Sequence, residues 1–130
     1  MIIKNTYEQC GFQLVHENAD FKCAFITHDT QYMEGKVATI KRHRESDEVF
    51  TLIEGQAVLL TRDSENGENI YTKLKKGMSY CVTAGTWHYL AVSKDALLFV
   101  AENSGVSNEN SDELSVEKES LYISLNIKNK

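Results

Sequence analysis

The sequence contains no proline, where about 5% is average. Its turns must therefore rest on Gly, Asn and Asp. Cysteine is sparse: Cys10, Cys23 and Cys81 are odd in number and scattered, and no CxxC pair occurs. That excludes a disulfide framework and a zinc ribbon and fits the reduced thiols of a cytoplasmic protein. No stretch approaches the roughly 18 apolar residues of a membrane helix. The first residues, MIIKNTYEQCGF, lack the apolar core of a signal peptide. Positive charge is also short. The chain has 14 Lys and Arg against 19 Asp and Glu, a net charge of −5, which argues against nucleic acid as a partner. No Gly-rich phosphate loop, Ser-His-Asp arrangement or paired-carboxylate signature stands out.

What is present is a succession of short strands and turns. The 130 residues suit one domain of ordinary size, with 42% hydrophobic and 25% charged residues. Alternation over 12–16, and short runs between turn residues thereafter, predict strands over 12–16, 22–27, 36–43, 49–54, 56–61, 70–74, 78–83, 88–92 and 97–101. Asn66-Gly67 is expected to close a hairpin. One helical turn is expected over Tyr7–Gly11. Residues 102–120 are acidic, rich in Ser and Asn, and read as a long solvated loop. Residues 121–127 alternate most cleanly and read as a C-terminal strand. Many short strands with turn signals every 8–12 residues point to an antiparallel barrel or double-sheet jelly roll.

The stretch KRHRESDEVF, residues 41–50, concentrates the chemistry. In a strand, residues two apart share a face, so Lys41 and His43 point one way and Arg42 the other. Arg42 and Arg44 are then expected on a solvated face. Glu48 follows at the head of the next strand and meets His43 if the two strands pair. By itself His43 reads as a surface histidine among charges. Phe50, Tyr80, Trp87, Tyr89 and Phe99 read as core or cavity wall, with Trp87 beside His88 at a rim. Cys81 reads as a buried, inert thiol.

In this region the sequence resembles the cupin superfamily. Gly35, Lys41, His43, Glu48 and Gly55 fall on its first motif, and Gly77, Thr83, Gly85, His88 and Val92 on its second. The motifs thus span 35–55 and 77–92. The resemblance implies an all-β, single-domain jelly-roll barrel over residues 1–130 that forms homodimers. It also implies a mononuclear divalent metal (Fe, Mn, Ni or Zn) on His43, Glu48 and His88, a donor set with open positions. Phe50, Trp87 and Tyr80 would line the ligand pocket, and the ligand would be a small polar molecule. Isomerase, lyase and dioxygenase chemistry all fit such a site. The sequence departs from the family at two places. Lys41 stands where the first histidine is expected, and Thr83 where proline is expected. Lys41 is then a catalytic proton donor or an anchor for a negatively charged substrate. In the alternative, Lys41 pairs with Glu48 in place of the metal, and the protein is a ligand-binding or sensing module without a metal.

Overall fold

A computed structural model of the chain describes residues 1–8, 10–29 and 37–117. Ten strands follow in order: β1 Phe12–Glu17, β2 Phe21–Thr27, β3 Val37–His43, β4 Glu48–Glu54, β5 Ala57–Arg62, β6 Ile70–Lys73, β7 Ser79–Val82, β8 Trp87–Val92, β9 Leu97–Asn103 and β10 Ser111–Glu117. They form two five-stranded antiparallel sheets, β1-β2-β9-β4-β7 and β10-β3-β8-β5-β6. From β2 to β5 and from β6 to β10 successive strands alternate between the sheets, the layout of a jelly roll.

Turn chemistry explains the breaks between strands. Asn18 Oδ1 accepts from the backbone amides of Asp20 and Phe21 at 2.8 and 3.0 Å, folding β1 back onto β2. Gly55 sits at φ +76, and a Cβ there would lie 2.6 Å from the Ala96 Cα, so only glycine fits between β4 and β5. The β5–β6 hairpin forms, and Asn66-Gly67 lies in its turn. Its loop is closed by Gly67 N donating to Ser64 O at 3.0 Å and by Arg62 reaching Asn69 and Glu65 O. Among the described residues no helical turn occurs over Tyr7–Gly11.

The two sheets close on an apolar core. Ala24, Ile26, Phe50, Leu52, Leu59, Leu90, Val92, Leu98 and Val100 fill the space between them. These are alternate residues of β2, β4, β5, β8 and β9, as period-2 patterning requires. A second cluster of Ile40, Val58, Leu60, Trp87, Tyr89 and Ala91 occupies the outer face of the second sheet. β8 is consequently buried on both faces along its whole length.

Residues 102–120 are not one long loop. Glu102 and Asn103 continue β9, a 3-10 turn occupies Asn108–Asn110, and β10 pairs with β3 from Ser111↔His43 to Glu117↔Val37. Charge that reads as solvated composition is here cross-strand pairing. Arg42 Nη2 lies 2.6 Å from Asp112 Oδ2, Arg44 binds the same carboxylate, and Asp112 is Arg42's ladder partner. Arg42 also covers the Trp87 ring, 4.6 Å from its centroid. Arg42 and Arg44 thus fasten an edge strand instead of standing free in solvent. Cys81, expected inside, is exposed. The expected strand at 121–127 and Gly35 of the first motif lie outside the described residues.

Candidate metal centre

His43 ends β3 in one sheet and Glu48 opens β4 in the other. The two strands do not pair, so the residues meet across the gap between the sheets and not along a shared ladder. The crossover that carries the chain over, residues 44–47, is fixed at several points. Gly85 N donates to His43 O at 2.8 Å, and Ala84 N to Asp47 Oδ1 at 2.8 Å. Ser46 is buried, and its Oγ accepts from Asn103 N at 3.1 Å. Asp47, one of the acids in the run that opens the site, therefore ties residues 44–48 to the turn that precedes β8.

That turn delivers the third group. His88 lies opposite Lys41 on one neighbouring strand and Thr61 on the other. Its Nε2 is 3.3 Å from Glu48 Oε1, and His43 Nε2 is 3.7 Å from Glu48 Oε2. The two imidazole centroids are 5.2 Å apart. One donor atom from each of His43, Glu48 and His88 lies within 4.8 Å of the other two. The expected three side chains are thus brought together, partly or fully buried.

The far nitrogens are engaged as well. His88 Nδ1 is 3.1 Å from the Thr86 carbonyl, and His43 Nδ1 is 2.9 Å from Ser111 Oγ. A carbonyl only accepts, so His88 Nδ1 carries the proton. In a neutral ring Nε2 is then a lone pair, and it faces the Glu48 carboxylate, also an acceptor. Two acceptors at this distance need a cation or a proton between them. The same pattern, with the outer nitrogen tied back and the inner one free, is how histidines are oriented toward metals. The residues present fit a divalent ion.

A fourth ionisable group joins them. Glu102 is the ladder partner of Glu48 on β9 and of Lys22 on β2. Its side chain is 6% exposed, and Lys22 Nζ stands 3.3 Å from its Oε1. Burial and the adjacent Glu48 carboxyl push Glu102 up to about 8, against the pull of Lys22. For Glu48, burial works upward too, but hydrogen bonding to His88 and Glu102 and the histidine charges outweigh it and hold the group at about 2. Burial lowers His43 below its ordinary value, with Glu48 opposing and His88 and Lys41 assisting. Burial and their mutual proximity thus drive the two carboxyls apart, Glu102 upward and Glu48 downward.

The cluster lies in a cavity of about 560 Å³ whose lining includes Phe12, Ile26, Phe50 and Val100 on one side and Thr39, Lys41 and Glu113 on the other. Phe50 is where the sequence places it, with its ring 6.3 Å from that of His88. Trp87 is not at the rim. It is 1% exposed in the outer cluster, because the residue next to an inward His88 must face outward. Tyr80 packs against the inner core and is not in the cavity wall; its hydroxyl accepts from Lys75 N at 2.9 Å. Lys41 lines the cavity but is half exposed, and its Nζ lies 3.9 Å from Glu113 Oε1. Its ion-pair partner is Glu113 and not Glu48.

Glu102, Ser111, Glu113 and Lys22 were missed in the sequence. Glu102 had a signal: Leu98 and Val100 are buried, and Glu102 is the next residue in phase on the same face. Ser111 and Glu113 had none, because their place depends on β10 pairing with β3.

Comparison with known proteins agrees with this fold. The Cupin domain family model matches residues 29–101, more than half of the chain. The chain belongs to this family. Among solved structures it resembles a cupin-2 domain protein from Shewanella frigidimarina, with 18% identity, a TM-score of 0.56, and coverage of 75% of this chain and 84% of that one. It is also similar to KdgF from Halomonas sp., at 17% identity and TM-score 0.54, over 75% of this chain and 81% of that one. A third is hydroquinone 1,2-dioxygenase from Sphingomonas sp. TTNP3 with 4-hydroxybenzoate bound, at 11% identity and TM-score 0.57, over 72% and 65% of the respective chains. At such identities the likeness concerns the fold. No curated protein matches the chain. No helix among the described residues is long and apolar enough to cross a membrane.

Proposed function

We propose that this cupin holds one divalent metal ion (Fe, Mn, Ni or Zn) on His43, Glu48 and His88 and binds a small anionic molecule beside it. One observation carries the metal reading. Two imidazoles turn their inner nitrogens onto a single buried carboxylate while their outer nitrogens are tied to Ser111 and Thr86. When bound, the ion supplies Lewis-acid polarisation of an oxygen on the ligand.

The remaining residues divide the binding work. Phe12, Ile26, Phe50 and Val100 offer an apolar wall that displaces water from the body of the ligand. Lys41 supplies a cation at the mouth on a flexible stem, suited to a carboxylate of the ligand. It exchanges the weak, exposed contact to Glu113 for the ligand's charge. Lys41 is the catalytic candidate, as an anchor or a proton donor, and the reaction classes that fit are isomerase, lyase and dioxygenase. The same reading includes a homodimer in the cytoplasm and, from the net charge of −5, no nucleic-acid partner.

Metal analysis of purified protein tests the proposal. Wild type grown in metal-replete medium should carry close to one equivalent, and His43→Ala and His88→Ala should each lose it. A folded wild type that stays metal-free would overturn the metal reading and favour a ligand-binding or sensing module in its place.

A further inference from the structure

We propose that Glu102 is a second carboxylate donor to the cation of this site, an inference that rests on the metal reading of His43, Glu48 and His88. The geometry begins with the ladder. Lys22, Glu102 and Glu48 stand side by side on β2, β9 and β4 and share one face of the sheet. Side chains directly opposite in an antiparallel pair have Cβ atoms about 5 Å apart. Two carboxyl groups are therefore held together at the floor of the cavity.

One of them is incompletely satisfied. Glu102 Oε1 meets Lys22 Nζ at 3.3 Å, but Oε2 is fully buried without a hydrogen-bond partner among the described residues. As an ionised group it faces only acceptors on the Glu48 side. A buried carboxylate without a donor is costly, and the chemistry that relieves it is a shared proton or a shared cation. The cation is the economical answer here, because the other acceptors facing the same point are Glu48 and the histidine Nε2 atoms. Glu102 lies outside the set of atoms within 4.8 Å of one another. Its Oε2, buried and without a partner of its own among the described residues, is the oxygen that would join them.

The proposal also accounts for Lys41. The position that the cupin resemblance assigns to a histidine carries a lysine, so the cluster has three donors, His43, Glu48 and His88. A carboxylate from β9 makes a fourth. Replacing imidazole by a carboxylate hardens the donor set and favours Mn or Fe over softer ions.

Cobalt(II) titration of the full chain tests this, read by visible d–d absorption and by thermal unfolding with and without the ion. Wild type should bind one equivalent. Glu102→Gln and Glu102→Asp should each bind at least about 10–100-fold more weakly, the loss found even for groups that only support a metal ligand, with altered d–d bands. Glu102→Gln should unfold in the metal-free state no earlier than wild type, which separates lost affinity from lost fold. Unchanged affinity and bands in both variants would overturn the role of Glu102 while leaving the three-residue site standing. Wild-type affinity in Glu102→Asp with weakening only in Glu102→Gln would also overturn it, since charge alone would then suffice. A wild type that binds no cobalt would overturn the metal reading and this inference together.

Discussion

Glu102 carries the sharpest consequence at the level of single residues. Its folded carboxyl is raised to about 8 from an ordinary value of 4.5. Between those values the folded state binds more protons than the unfolded chain, so stability falls as pH rises. The metal-free protein should therefore lose thermal stability between about pH 5 and pH 8, and the slope should flatten above the folded value. Glu102→Gln should remove most of this dependence, because an amide donates to Glu48 at any pH. A melting-temperature series in chelator across that range checks it. Glu48 acts in the opposite sense. Its carboxyl, held at about 2, adds stability that is present above 4.5 and lost as pH falls toward 2. Lys41 belongs to the same scale. If it anchors the ligand, Lys41→Met should weaken anionic ligands while metal content stays at one equivalent, which calorimetry and metal analysis resolve separately.

At the level of elements, β10 and the β4–β5 turn make distinct demands. β10 is an edge strand fastened to β3 through Asp112, which hydrogen bonding to Arg42 and the charges of both arginines hold below the ordinary carboxylate range. Asp112→Ala should loosen 111–117 first. Amide exchange there should quicken while protection in β8 and β9 is kept, and His43 loses its Ser111 partner when the strand leaves. Gly55→Ala should cost about 1–3 kcal/mol, the range for a strained backbone conformation, since its φ is +76 and Ala96 leaves no room. Urea denaturation measures it.

These elements also show where local reading stops. Strands β1 to β9 announce themselves by alternation or by short apolar runs between turn residues, and the structure places each within two residues of its expected span. β10 does not. Its sequence, Ser-Asp-Glu-Leu-Ser-Val-Glu, carries apolar residues only at Leu114 and Val116. The charges that make it look solvated are the ones that pair it to β3, and that pairing joins residues about seventy positions apart, as in the Arg42–Asp112 bond.

Across the whole molecule, stability rests on the core between the sheets, and the cluster of His43, Glu48 and His88 lies in the cavity beside that core. Leu98 is fully buried in the inner cluster. Leu98→Ala should destabilise the protein by about 2–5 kcal/mol, measured by denaturant titration. The cost should appear in folding stability and not in the metal equivalents of the folded fraction, because the ligands are held by the crossover 44–47 and the turn 83–86.

The sequence by itself determined the jelly-roll class, the strand spans through β9, and the choice of His43, Glu48 and His88 as the candidate cluster. Those features are local: side-chain alternation, glycine at turns, and motif spacing act over a few residues. Only the tertiary structure decided that His43 and Glu48 meet across two sheets, that Trp87 and Tyr80 leave the cavity wall, that Lys41 pairs with Glu113, and that Glu102 stands beside Glu48. Each of these depends on strand register and on which sheet a strand joins, and ladders bring together residues whose separation along the chain leaves no periodic trace.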